Sequence, residues 1–120
     1  MVTILFHPDL TSQKWAEKPF SWQILSIASE LGRAESNLQK SLLSPFKTCL
    51  ERGFELIDLT VGAHTRELSF LREILRLREI LGTFYVDQNP QARLKEFHAL
   101  TKALLTLEPE AYNLLGVASK

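Results

Sequence analysis

Only one cysteine, Cys49, stands among the 120 residues. An intrachain disulfide is therefore impossible, and a cysteine-based metal cluster is excluded. Glycine is scarce as well, with five residues, all isolated from one another, so no Gly-rich loop is available to cradle a phosphate. Charge of one sign is missing, since 14 Lys and Arg balance 14 Asp and Glu. The halves balance too: residues 1–53 carry six basic against five acidic side chains, and residues 54–120 carry eight against nine. A protein that neutralises several phosphates needs a basic footprint that this chain does not have. Long apolar runs are absent. Val2 to Phe6 is broken after five residues by His7-Pro8-Asp9, whereas a secretory leader needs a basic flank and a longer run, and a membrane span needs about 20 residues. These absences predict a soluble, cytoplasmic protein with no cofactor and no membrane segment.

The composition that remains is that of an ordinary globular protein, 45% apolar and 23% charged. A chain of 120 residues makes one domain and can bury a core without staples. Residues 1–120 are read as a single helical domain, with residues 1–20 as an N-terminal arm that has room for one short helical turn.

Helical periodicity dominates the chain from Trp22 onward. Ile24, Ile27, Leu31, Ala34, Leu38 and Leu42 step by three or four residues, and Ser44-Pro45 is read as the stop of this helix. Phe46, Leu50, Ile57 and Val61 mark a second helix across Gly53, with Gly62 as its C-terminal cap. Its last part, residues 54–61, also alternates like a strand, and helix is the favoured reading. Thr65 is placed to cap a third helix. There Phe70, Ile74, Leu77, Leu81 and Phe84 form one apolar seam, and Leu68, Leu71, Leu75, Ile80 and Tyr85 widen the apolar arc past half the circumference. Asn89-Pro90 restarts the chain as cap and first helical residue, and Phe97, Leu100, Leu104 and Leu107 then share a face. Short connections favour antiparallel neighbours. The expected fold is thus all-α: a bundle of four main antiparallel helices (about 22–43, 46–61, 65–86 and 90–107) plus a short C-terminal helix that begins at Glu108-Pro109.

The third helix carries the strongest functional expectation. Its surplus apolar arc predicts that it is central to the bundle or shared with a second chain. Arg78 falls inside that arc, and a guanidinium there needs a carboxylate partner; Asp58 and Glu55 on the preceding helix are in reach. Leu71, Leu75 and Arg78 are therefore candidate partner contacts. Trp15, Phe20 and Trp22 are read as anchors of the N-terminal arm, with Trp15 and Trp22 as further partner contacts because tryptophan is enriched at such positions. The leading expectation is a non-enzymatic helical protein-interaction module, adaptor-like or chaperone-like, that forms a homodimer through residues 66–85.

Two short resemblances give alternatives. Ile27-Ala28-Ser29-Glu30-Leu31-Gly32-Arg33 resembles the junction of a helix-turn-helix, with Ala four residues before Gly. That resemblance, over residues 23–43, implies a DNA-binding regulator in which Arg33, Glu35, Ser36, Asn37, Gln39 and Lys40 face the major groove. Arg33 and Ser41 occupy positions where that family is usually apolar, and the unbroken spacing from Ile24 to Leu42 predicts one continuous helix across Gly32 instead. Arg93-Leu94-Lys95-Glu96-Phe97-His98 has the Arg-x4-His spacing of helical ribonucleases of the HEPN superfamily, which implies an RNA-cleaving cation–imidazole pair. Five residues turn a helix through about 500°, which sets the two side chains well apart. His7, His64 and His98 lie on separate elements with no Glu three residues before any of them, so a bundle metal site is not expected. Cys49, beside Leu50, is read as a small buried residue.

Overall fold

The computed structural model describes residues 11–63 and 68–107, the side chain of Ser12 excepted. Five α-helices follow one another: α1 (Ser12–Ala16), α2 (Phe20–Gln39), α3 (Leu43–Ala63), α4 (Leu68–Val86) and α5 (Leu94–Thr106), with a 3-10 turn at Pro90–Arg93 leading into α5. No strand occurs among the described residues. The all-α class is as expected, and residues 54–61 are helical within α3. The expected cap at Thr65 and the short C-terminal helix lie outside the described residues.

Helices α2 and α3 form an antiparallel hairpin, since Asn37 meets Cys49 near its turn and Leu31 lies against Gly53 farther along. The turn itself corrects one expectation. Helix α2 ends at Gln39, not Leu43, and Ser44-Pro45 does not stop it. Ser41 takes a left-handed φ of 58°; its N–H donates to the Leu38 carbonyl, and the Leu42 N–H donates to the Asn37 carbonyl. This is a Schellman closure, usually built on glycine. Pro45 then lies within the first turn of α3, where a missing N–H breaks no helical bond. Leu42 falls after the helix end and is exposed, while Ile24, Ile27, Leu31, Ala34 and Leu38 are all buried. Gly62 likewise does not cap: it lies inside α3 without positive φ.

The third helix expected from the spacing, α4, is not central. It packs chiefly on α3 and only touches α5, while α2 takes the middle position between α3 and α5. Arg78 pairs with Asp58 and Tyr85 donates to Glu51, so α4 runs antiparallel to α3. The predicted seam is nevertheless its inner face: Ile74, Leu77, Leu81 and Phe84 are buried, and Phe70 packs edge-on against Phe20. Phe84 meets Phe97 at 5.2 Å between ring centres, and Phe97 meets Phe46 at 5.5 Å. This aromatic file joins α4, α5 and α3 across the core.

The α1–α2 corner is held by polar groups. Trp15, fully buried, donates its indole N–H to Thr60 Oγ1 at 2.8 Å, and that hydroxyl donates to the Leu56 carbonyl at 2.8 Å. Gln23 Nε2 donates to the Trp15 and Lys18 carbonyls, which satisfies backbone acceptors at the end of a five-residue helix too short to stand alone.

Candidate interaction surface

Three exposed large apolar side chains line the outward side of α4. Leu68 is 67% exposed, Leu75 48% and Val86 77%. Spacings of seven and eleven residues keep all three within about 20° of one line along the helix. Leu71, half-buried, and Gly82 border that line on one side, and Arg72 and Glu79 border it on the other. Of the residues expected to need cover, the Phe70–Phe84 seam is closed by the chain itself, whereas Leu75 stays open. A separate apolar groove of about 180 Å³ runs between α4 and α5, lined mainly by Leu77, Ile80, Leu100, Leu104 and Leu107.

Arg78 pairs with Asp58, one of the two carboxylates expected for it. Its Nε and Nη2 donate to the two carboxylate oxygens of Asp58 at 2.7 and 3.1 Å, a fork that fixes the guanidinium plane. The same guanidinium lies 5.1 Å from the centre of the Phe54 ring. Both partners of the ion pair keep more than a third of their side-chain surface exposed, so Arg78 sits at the rim of the α3–α4 seam and not in a dry interface. Its ties to Asp58 and Phe54 are a structural role.

The two tryptophans separate. Trp15 is a core residue, 1% exposed, which removes it from any partner surface. Trp22 is 46% exposed; it lies 5.8 Å from the Trp15 ring and carries the Lys18 ammonium 5.0 Å above its own ring. Nearby, Glu30 is buried and accepts from Arg33 at 2.8 Å through Oε1, while its Oε2 has no hydrogen-bond partner among the described residues.

The residues of the helix-turn-helix alternative do not assemble into a reading surface. Helix α2 continues through Gly32 without positive φ, so the required turn is not formed. Arg33 is tied to Glu30, Asn37 is half-buried and donates to Cys49 Sγ at 3.6 Å, and Lys40 is the C-cap of α2. Ser36 and Gln39 are exposed on the same helix, with Glu35 half-buried and directed to His98 at 3.0 Å.

The Arg-x4-His pair diverges. Arg93 lies in the 3-10 turn, with its guanidinium 3.8 Å from the Phe84 ring centre. It also donates to Thr83 at 2.9 Å, to Asp87 at 3.3 Å and to Glu96. His98 faces α2. The spacing argument presupposes a continuous α-helix through both residues; the turn at Pro90 and the aromatic shelf of Phe84 instead make Arg93 a clamp between α4 and α5. Asp87 is held below the usual carboxylate range by the Asn89 backbone N–H and by Arg93.

Cys49 is buried and its thiol is pushed above its ordinary value, first by burial and then by the nearby Glu30 charge. A nucleophile needs the opposite shift. Among the described residues no group of three or more His, Cys, Asp and Glu is placed to hold a metal, and no helix is long and apolar enough to cross a membrane.

Sequence reasoning missed Gln23, Thr60 and Glu51. Thr60 and Glu51 meet partners far along the chain, and Gln23 reaches back over the α1–α2 corner to backbone carbonyls, so no local pattern marks any of them. Comparison with known protein families, curated proteins and solved structures finds no match to this chain.

Proposed function

We propose that this protein is a helical interaction module that associates with a second copy of itself through the outward face of α4. The observation that carries this reading is the line of Leu68, Leu75 and Val86, exposed on a helix whose opposite face already fills its own core. Apolar side chains aligned along a helix are suited to helix–helix pairing, where area removed from water supplies the driving force. The ionisable groups support a non-catalytic role: Arg78, Arg93 and His98 are each engaged with a carboxylate of the same chain, and Cys49 is buried with its thiol disfavoured as thiolate.

Leu75→Glu tests it. The side chain is half exposed and belongs to no buried cluster, so the variant keeps its helical circular dichroism. Sedimentation equilibrium is expected to show wild type as a dimer at micromolar concentration and Leu75→Glu as a monomer of 13.7 kDa. A wild-type chain that stays monomeric over that range refutes the proposal.

A further inference from the structure

We infer that the two copies pair their α4 helices antiparallel about Leu75, so that Arg72 of each chain meets Glu79 of the other. This rests on the self-association proposed above and adds its direction and register.

In an antiparallel pair centred on residue 75, each residue k positions after Leu75 lies beside the one k positions before it on the second helix. Leu68 then faces Gly82, and Arg72 lies one residue, about 1.5 Å along the axis, from Glu79. Antiparallel packing also brings matching flanks together. Measured round the helix from Leu75, Arg72 and Glu79 lie about 60° and about 40° away, on the same side. Opposite charges therefore meet twice, once on each side of the two-fold axis.

Two features of the single chain agree with this register. Arg72 and Glu79 are both exposed, and among the described residues neither is within ion-pair distance of an opposite charge. Gly82 weakens a helix interior, yet a Cβ added there would meet nothing within 4 Å in its own chain. Packing within the chain therefore does not require glycine, whereas a leucine arriving from a second helix does gain room by it. A parallel, in-register pair fits worse. It sets Gly82 on Gly82, leaving the helices without side-chain filling at that level, and it turns Arg72 and Glu79 towards the flank that holds Leu71 and Arg78. Arg78 is already neutralised there by Asp58.

Charge reversal in the full-length chain distinguishes these arrangements. Arg72→Glu and Glu79→Arg are each expected to weaken the dimer about tenfold at low salt, because two exposed attractive pairs become repulsive. The double reversal is expected to return the dissociation constant to within about threefold of wild type. Mixing the two single variants should also give a heterodimer in preference to either homodimer, since each then offers the other two opposite pairs. Oxidation of a mixture of Leu68→Cys and Gly82→Cys gives an independent reading: the antiparallel register yields the mixed crosslink, the parallel one yields Leu68→Cys joined to itself. Wild-type dimers with indifferent reversals, no mixed preference and crosslinks of like with like would refute the register while leaving self-association standing. A monomeric wild type removes both.

Discussion

Thr60→Val isolates the hydrogen bond by which the Trp15 indole ties α1 to α3. Thr60 is fully buried, and its Oγ1 accepts from Trp15 Nε1 at 2.8 Å. Valine keeps the β-branch and nearly the same volume, so helix propensity and packing change little. The Leu56 carbonyl loses the hydroxyl as a donor but keeps its helical N–H partner. What remains is a buried indole N–H with no acceptor, and such a group costs about 1–3 kcal/mol. Destabilisation of about 2 kcal/mol is expected, a large share of the stability of a domain this size. Trp15→Phe removes the donor and leaves a smaller ring, at roughly 1–3 kcal/mol by the large-to-small rule. On that background Thr60→Val should cost less than about 0.5 kcal/mol, because no unpaired N–H is created, and the two changes couple by about 1.5 kcal/mol. Urea unfolding followed by circular dichroism at the helical minimum measures all four corners of the cycle. Additive losses, or a neutral Thr60→Val in the wild-type background, would show that the indole does not depend on Thr60, and the account of how α1 is anchored would fail.

Ser41→Gly is expected to stabilise the protein by about 1 kcal/mol, because Ser41 closes α2 at φ 58°, where a Cβ is strained and glycine is not; an unchanged urea midpoint would contradict that reading of the turn. Gly32→Ala is also expected to stabilise, by up to about 1 kcal/mol, since Gly32 is inside α2 and a Cβ there meets nothing within 4 Å. A loss of similar size would instead indicate a left-handed turn of the kind a DNA-binding motif needs. The Cys49 thiol, raised in the fold by burial and by Glu30, stabilises the native state as long as it stays protonated. That contribution is complete below the ordinary thiol pKa and fades as pH rises through the raised value. Cys49→Ala should flatten the alkaline limb of the stability profile, and native Cys49 should react with a disulfide reagent far more slowly than the urea-unfolded chain.

Four of the helices and their inner faces were legible from spacing alone. Apolar residues three and four apart share a helix face whatever lies opposite, so Ile24 to Leu38, Phe46 to Ile57 and Ile74 to Phe84 could be assigned to the interior before any packing was known. The same arithmetic placed Arg78 inside the apolar arc with Asp58 or Glu55 as partner; the structure pairs it with Asp58 at the rim of the α3–α4 seam. Spacing says nothing about which helix stands in the middle. The width of the apolar arc on α4 suggested the centre of the bundle, yet α2 and α3 hold that position, because α5 packs on α2 and α1 on α3 while α4 lies at the edge with its outer arc in the open. Tertiary structure also decided the end of α2, where Ser41 adopts the left-handed turn three residues ahead of the first helix-stopping proline signal, and it decided the fate of Arg93, which packs on Phe84 instead of meeting His98. Periodicity records how a helix divides its own surface; only the packing of the others determines which part of that surface stays free to meet a second molecule.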